Sequence, residues 1–137
     1  MPEPEFPISR IRIRPDFLAA AKADSCARGA IVLQSRHRAD DDAQVRVGFT
    51  ATKKVGNSVI RNRAKRRMRE AARALIPLFA TPGHDYVLIA RGGAPTRPWD
   101  RLLDDVKSAL LSLRPDRQDI KDSSSRAPVG ASISPKV

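Results

Sequence analysis

The sequence predicts an α+β fold in which three helices pack on one small sheet. Residues 30–36, 44–52 and 86–90 are short apolar segments, β-branched or alternating, of the kind found in strands. Two longer segments, 59–75 and 96–113, carry apolar residues at the i, i+3/i+4 spacing of helices. A chain of 137 residues with 41% hydrophobic but only 4% aromatic residues is one domain by length, with a core made mainly of aliphatic side chains.

Both ends of the chain lack this periodicity. Residues 1–9 are rich in Pro and Glu and predict a flexible N-terminal arm. Residues 115–137 contain serines, prolines and scattered charges, which predict a disordered tail. The folded domain is therefore expected to span residues 10–114.

The first half of the domain is expected to contain one helix and two strands. Pro15 and Asp16 are typical of a helix start, and an alanine run continues that helix to about Ala23. Gly29 separates the helix from the first strand. The segment 38–43, with three consecutive aspartates, predicts a turn, and the strands before and after it are expected to pair as a hairpin.

The second half is expected to contain the two amphipathic helices with a buried strand between them. Residues 56–58, Gly-Asn-Ser, predict a turn and an N-cap, and the helix that follows is expected to end before Pro77. Thr96 and Pro98 predict the start of the last helix, which Pro115 stops.

The strongest feature of the sequence is a concentration of positive charge in residues 53–73. Nine Lys and Arg residues against one acid, Glu70, give +8 of the formal net charge of +11 within this segment. A sequence pI near 11.0 indicates a polyanionic partner, because each neutralised phosphate releases condensed counterions. The single cysteine, Cys26, and the lack of any long apolar run predict a protein of a reducing compartment, soluble and cytoplasmic.

The periodicity of the basic segment predicts which face of its helix is exposed. At 100° per residue, one stripe is apolar and is expected to dock on the sheet: Ile60, Ala64, Met68, Ala71 and Leu75. The opposite face is polar and cationic: Asn62, Lys65, Arg66, Arg69 and Arg73. A solvated helix face usually mixes charges, whereas most i,i+4 pairs here are alike in sign, which favours a polyanion as ligand. The apolar stripe is too small in volume for a membrane-surface helix.

The same segment resembles a known signature. Residues 53–63, Lys-Lys-Val-Gly-Asn-Ser-Val-Ile-Arg-Asn-Arg, followed by Lys65-Arg66 and Arg69-Glu70, are similar to the motif of the bacterial ribonuclease P protein subunit. The segments 12–17, 45–49, 89–91 and 99–113 also fit that family. The resemblance covers residues 10 to 113 and is specific, because an Arg-Asn-Arg triplet alone would be weak.

The resemblance implies a fold with the order α-β-β-β-α-β-α and a left-handed βαβ crossover, as in domain 2 of ribosomal protein S5. Ordinary crossovers are right-handed, so the sequence pattern could not give this hand. The resemblance also implies a ribonucleoprotein endonuclease in tRNA processing. Its catalytic RNA, with Mg²⁺ held by that RNA, would hydrolyse the 5′ leader from precursor tRNA, and one protein would bind one RNA.

Two sets of site residues follow from the resemblance, and no catalytic side chain is among them. One set would bind the catalytic RNA: Lys53, Lys54, Asn57, Arg61, Asn62, Arg63, Lys65, Arg66 and Arg69. The other would hold the single-stranded leader in a cleft between the first helix and the sheet: Phe17, Arg12, Arg14, Arg36 and Arg91. The family commonly carries a second aromatic residue one turn after the first, where this chain has alanines, so Phe17 is either a stacking platform or a core residue.

The remaining candidates each allow a simpler interpretation. The aspartates at 40–42 could bind a divalent ion, although a solvated turn is the favoured reading. His37 could contact RNA or lie free at the surface, and His84 is expected in a turn. Trp99 is expected in the core, and Arg91 could either reach RNA or be an ordinary surface residue. A different function class, a non-enzymatic ribosomal or assembly protein of similar fold, is also compatible with the basic helix.

Overall fold

Five strands form one mixed sheet in the order β1-β4-β5-β3-β2. The structure is a computed structural model, and it describes residues 6–115. The elements in chain order are β1 (Ile8–Arg10), α1 (Arg14–Ala21), β2 (Asp24–Arg28), β3 (Ile31–His37), β4 (Val45–Ala51), a 3₁₀ turn (Lys53–Val55), α2 (Ser58–Phe79), β5 (His84–Ala90) and α3 (Trp99–Ser112). The α+β class is confirmed, and the predicted α-β-β-β-α-β-α order is present with one additional strand at its start.

The predicted hairpin between β3 and β4 is wrong. Strand β5 lies between them, antiparallel to β3 and parallel to β4, so that Leu88 is the register partner of both Leu33 and Phe49. The reason is that β5 is buried on both faces and therefore takes the central position of the sheet. Helix α2 connects the adjacent parallel strands β4 and β5, and the left hand of this connection stays a prediction.

The residue patterns did not predict two of the strands, β1 and β2, although the order implied by the resemblance includes β2. Part of the segment interpreted as a flexible arm is ordered, because Phe6 is buried in the core and β1 pairs in parallel with β4 at Ile8 and Val45. Strand β2 pairs with β3, although its sequence from Asp24 to Arg28 has no β-branched residue to signal a strand. Residues 1–5 of the arm, and all of the predicted tail except Pro115, lie outside the described residues.

The two faces of the sheet have different cover. Helices α2 and α3 pack on one face, over side chains that include Ile31, Leu33, Val45, Tyr86 and Leu88. The shorter α1 packs on the opposite face, where Ile11, Phe17, Ala20 and Val87 form a second, smaller apolar cluster. Among residues 6–115, α1 is the one helix that packs on this second face.

Helix α2 begins as predicted but extends further. The Asn57 side-chain oxygen accepts a hydrogen bond from the Ile60 amide at 3.0 Å and caps the helix. Pro77 does not end the helix, which continues to Phe79. A proline so near the C-terminus removes a single backbone donor, the one that would pair with the carbonyl of Arg73, so its cost is small.

A buried carboxylate fixes the turn between β2 and β3 to α3. Asp105 accepts hydrogen bonds from the Ala30 amide at 3.0 Å and from Arg97 Nε at 2.8 Å. Gly29 has a φ of +51°, and a Cβ there would lie 2.2 Å from the Asp105 carboxylate. Only glycine suits both the positive φ and this close approach.

Within residues 6–115, no helix is both long enough and apolar enough to cross a membrane.

Candidate nucleic-acid interface

The apolar stripe of α2 docks on the sheet as predicted. Ala64, Met68 and Ala71 are fully buried, while Ile60 and Leu75 at the two ends are half-buried. Towards the C-terminal end the buried face widens to include Ala72 and Ile76, which were not in the predicted stripe. Both residues belong to the main core cluster and also line the groove beside β1 and β4.

The cations of residues 53–73 remain largely without internal neutralisation, and we call them the basic wall. Among residues 6–115, the one carboxylate paired with the wall is Glu70, 3.5 Å from Arg73, with both side chains mostly exposed. A surface pair of this kind contributes about 0–1 kcal/mol and does not remove the field. The most exposed wall cations are Lys53, Lys54, Arg63, Arg66 and Arg73.

Two arginines of α2 are less available than their positions on the helix indicated. Arg67 donates from Nη1 to the Ala94 carbonyl at 2.6 Å and from Nη2 to the Arg97 carbonyl, and its guanidinium lies 5.9 Å from the Trp99 ring. Arg69 was expected on the outward face but is half-buried, 5.8 Å from the Phe49 ring. Arg67 therefore holds the loop before α3, whereas Arg69 lines a groove.

Trp99 is not the core residue that was expected. Its side chain is 43% exposed and packs under Arg67 at the start of α3. The helical spacing correctly assigned the other members of that stripe to the core, because Leu102, Val106 and Leu110 are buried. A first-turn position lies beyond the edge of the sheet, so periodicity overestimates its burial there.

The geometry of the sheet places three of the predicted cations, Lys53, Lys54 and Arg91, at one end of the sheet. Strands β4 and β5 are parallel, so the residues that follow them lie at the same end of the sheet. Lys53 and Lys54 are in the 3₁₀ turn after β4, and Arg91 directly follows β5. Arg91 donates to the Gly29 carbonyl at 3.3 Å and remains exposed. The basic wall and Arg91 thus flank the same end of the sheet.

The predicted leader cleft lies on the other face of the sheet, beside α1. Phe17 is half-buried with Ile11 and Val87, and a Cβ on Gly48 would lie 2.5 Å from its Cε1 atom. Phe17 is therefore both a packing residue and a partly open ring surface. Arg12 and Arg14, at the start of α1, are exposed and form no ion pair with any described residue.

The floor of this cleft contains an ion-pair cluster that sequence reasoning missed. Arg46 donates from Nε to Asp85 Oδ1 at 2.8 Å and from Nη2 to Oδ2 at 2.7 Å, while Arg38 reaches Oδ1 at 2.9 Å. Arg36, predicted to bind the leader, lies 3.6 Å from Asp85 Oδ2 and 3.9 Å from Asp16, with its side chain 32% exposed. The hydrogen bonds that Arg46 donates to the Asp85 carboxylate raise the pKa of Arg46 further above its usual value.

The charges within this cluster balance. Three arginines face three carboxylates, those of Asp16, Asp40 and Asp85, and the Asp85 side chain is fully buried. Alternation along the strands could have indicated that Arg46 shares a face with Gly48, but not that Asp85 lies across from it. That neighbour depends on the central position of β5.

The aspartates at 40–42 lie exposed in the turn that joins β3 to β4, but it is not the hairpin turn that was favoured for them, because β5 lies between the two strands. The Asp42 amide donates to Asp40 Oδ1 at 3.1 Å, and Arg38 Nε donates to Asp40 Oδ2 at 2.9 Å. The hydrogen bond from Arg38 holds the pKa of Asp40 below its usual value. Next to this turn the rings of His37 and His84 stack with centroids 4.9 Å apart. His84 is buried at the start of β5, not in a turn.

Comparison with known proteins agrees with this architecture. The model of the family described as Ribonuclease P matches residues 8–114. A ribonuclease P protein component from Caulobacter vibrioides (strain NA1000 / CB15N) is 67% identical over 107 residues, which cover 78% of this chain and 72% of that protein. One from Ruegeria pomeroyi is 53% identical, covering 77% of this chain and 86% of its own.

Solved structures give the same result for the fold. The RNase P protein of Staphylococcus aureus superposes with a TM-score of 0.63 at 26% identity, covering 74% of this chain and 91% of that one. The RNase P protein of Thermotoga maritima superposes with a TM-score of 0.65 at 24% identity, covering 77% and 97%. With the family model spanning nearly the whole described domain, this chain belongs to the ribonuclease P protein family.

Proposed function

We propose that this chain is the protein subunit of ribonuclease P, which binds the catalytic RNA and the 5′ leader of precursor tRNA and assists removal of the leader. The observation that carries the proposal is the basic wall, most of whose cations face outward, with one weak carboxylate partner among the described residues. The family to which the chain belongs supports the same function.

The wall is suited to the catalytic RNA because its cations are held on a rigid helix. Arg63 and Arg66 are exposed and lie within one helical turn of each other, so they can contact neighbouring phosphates without ordering a loop. Guanidinium groups form bidentate hydrogen bonds with phosphate, which lysine cannot do. Each phosphate neutralised on a single strand adds about 0.7 to the slope of log K against log salt.

The cleft beside α1 is suited to a leader of variable sequence. Such a ligand must be bound through its phosphates and through stacking that tolerates any base. The cleft offers the partly open ring of Phe17, the partly exposed guanidinium of Arg36, and the exposed cations Arg12 and Arg14 near the start of α1. We therefore assign Phe17 both roles that the sequence left open, packing and stacking.

The chemistry in this proposal belongs to the RNA. The hydrolytic step would use Mg²⁺ held by the catalytic RNA, in a complex of one protein and one RNA in the cytoplasm. The protein would act by lowering the repulsion between the catalytic RNA and the phosphates of its substrate, which lets the complex work with fewer divalent ions.

Reconstitution tests the proposal directly. The full chain is added to the catalytic RNA of the same organism at low Mg²⁺, and cleavage of precursor tRNA is measured against RNA alone. We expect a large increase in cleavage at low Mg²⁺ that shrinks as Mg²⁺ is raised. Unchanged cleavage across the titration contradicts the proposal, and co-sedimentation with ribosomes instead would favour an assembly protein.

A further inference from the structure

A groove runs between the edge strand β1 and the C-terminal half of α2, on the face of the sheet opposite the leader cleft. We call it the β1–α2 groove. It encloses a cavity of about 460 Å³ beside the basic wall. Its floor is apolar and is formed by Ile8, Val47, Phe49, Ala72, Ile76 and Pro77. A volume of this size lies within the range of roughly 300–1,000 Å³ that is typical of small-molecule sites.

The polar lining of the groove consists of three arginines and Ser9. Arg10 extends from β1, while Arg69 and Arg73 lie one turn apart on α2. Arg69 covers the Phe49 ring at 5.8 Å, and its Nε atom is buried without a hydrogen-bond partner among the described residues. A buried donor without an acceptor is costly, and a ligand oxygen at this point would satisfy it.

The groove also offers backbone groups. The Pro7 carbonyl and the Ile11 amide bond to β4, so the alternation of a strand turns the backbone groups of Ile8 and Arg10 away from β4, at the open edge. Pro77 has no N–H to pair with the carbonyl of Arg73, four residues earlier in α2. These backbone donors and acceptors can form hydrogen bonds with the edge of any flat polar ring.

We propose that the β1–α2 groove takes one unpaired nucleotide extruded from the catalytic RNA. The base would enter over the apolar floor beneath Arg69, and its phosphates would face Arg10 and Arg73. An apolar slot with a cationic rim fits a base with attached phosphate, because the base needs a stacking surface and the phosphate needs guanidinium groups. The inference rests on the proposed function only in taking RNA as the partner of α2.

The position of the groove supports RNA as its occupant. Arg69 and Arg73 belong both to the groove and to the basic wall, so a strand bound along the wall reaches the groove within one turn of α2. An acidic peptide would find the rim charges but would leave the ring of Phe49 without a stacking partner. Peptide binding is therefore an outcome that the experiment can reveal.

Photocrosslinking in the assembled complex tests the inference. The full chain is bound to catalytic RNA in which 5-iodouridine replaces part of the uridine, irradiated, digested with nuclease and trypsin, and analysed by mass spectrometry. We expect an adduct on the tryptic peptide that spans residues 47–53 and contains Phe49. Adducts on α2 alone, with none on this peptide, overturn the inference.

Two blocking variants, Ala72→Leu and Ile8→Trp, fill the groove from opposite sides, so the test survives if one of them fails to fold. Each is expected to reduce the Phe49 adduct at least fivefold while adducts elsewhere on α2 persist. Arg10→Gln should reduce it severalfold, whereas Arg101→Gln, an exposed cation on α3, should not change it. An undiminished Phe49 adduct in both folded blocking variants contradicts the inference.

The failure of the inference is distinguishable from failure of the proposed function. If the wild-type chain does not bind the catalytic RNA at all, both are wrong. If it binds and stimulates cleavage but the groove peptide is unlabelled, only the groove assignment is wrong.

Discussion

Arg46 and Asp85 form a two-pronged ion pair across adjacent parallel strands, with N–O distances of 2.8 and 2.7 Å. The Asp85 side chain is fully buried and is also approached by Arg36 and Arg38. Three guanidinium groups thus share one carboxylate. This residue, which does not itself reach the surface, joins the arginines on the floor of the proposed leader cleft.

Replacing Asp85 should therefore destabilise the fold. Asp85→Asn leaves three arginines without their shared partner, and breaking a buried pair costs about 3–5 kcal/mol. The measurement is the free energy of unfolding from urea denaturation. Asp104→Asn, which removes an exposed carboxylate from α3, is the control and should lie within about 0.5 kcal/mol of wild type. Equal stability of the two variants would show that the cluster contributes little.

The basic wall should determine the salt dependence of RNA binding. Changing Arg61, Arg63 and Arg66 together to Ala removes up to three phosphate contacts, which lowers the slope of log K against log salt by about 2–3. Binding of the catalytic RNA is measured between low and moderate salt. Folding should survive, because these residues lie outside the buried stripe of α2.

A control with the same net charge separates contact from long-range attraction. The triple variant with Lys22, Arg101 and Lys107 changed to Ala also loses three exposed positive charges, away from the wall. Its salt slope should remain close to that of wild type. Equal loss of slope in the two triple variants would mean that the wall acts only through total charge.

Arg67 should behave differently from its neighbour Arg66. Arg67→Ala frees the carbonyls of Ala94 and Arg97, so amide exchange in residues 92–97 should accelerate and stability should fall by about 1–3 kcal/mol. Arg66→Ala should leave both unchanged, because that side chain is exposed. Hydrogen exchange with mass spectrometry is the measurement. Identical exchange in both variants would contradict the bracing role of Arg67.

Gly48 should control the position of Phe17. Gly48→Ala places a methyl group 2.5 Å from the Phe17 ring. The ring must therefore move away from its present position, at a cost of about 1–3 kcal/mol. Affinity for precursor tRNA should fall relative to leaderless tRNA, while affinity for the catalytic RNA is retained. Gly92→Ala, with no atom within 4 Å of the added Cβ, is the matched control. A leader preference unaffected by Gly48→Ala would remove Phe17 from the cleft's function.

His84 should make stability depend on mild acid. Burial holds the pKa of His84 in the folded chain below its usual value near 6.5. At pH values between these two pKa values, the unfolded chain is protonated at His84 and the folded chain is not. The free energy of unfolding should therefore fall as pH is lowered through about 6.5. In His84→Gln this part of the pH dependence should disappear. A wild-type stability that rises on acidification through this range would show the opposite sign.

Local chemistry was enough for much of the fold. The capped start of α2, the apolar spacing of α3 and the short buried strand β5 were all readable from residue type and period. Strands β1 and β2 were not, since Ile8–Arg10 and Asp24–Arg28 become strands only by pairing with β4 and β3. Intrinsic preference is weak in such short segments, and the neighbour decides.

By itself, the sequence determined the charge, the amphipathic period of α2 and hence the existence of an outward cationic face. The tertiary structure alone decided which of those cations are free. Arg67 donates hydrogen bonds to carbonyls of a loop 27 residues away in the chain. Arg69 packs over Phe49 in the groove beside β1. The helical period gives the direction in which a side chain leaves the helix axis. That direction leads to solvent only where no other element of the fold lies. The positions of those other elements depend on contacts distant in sequence.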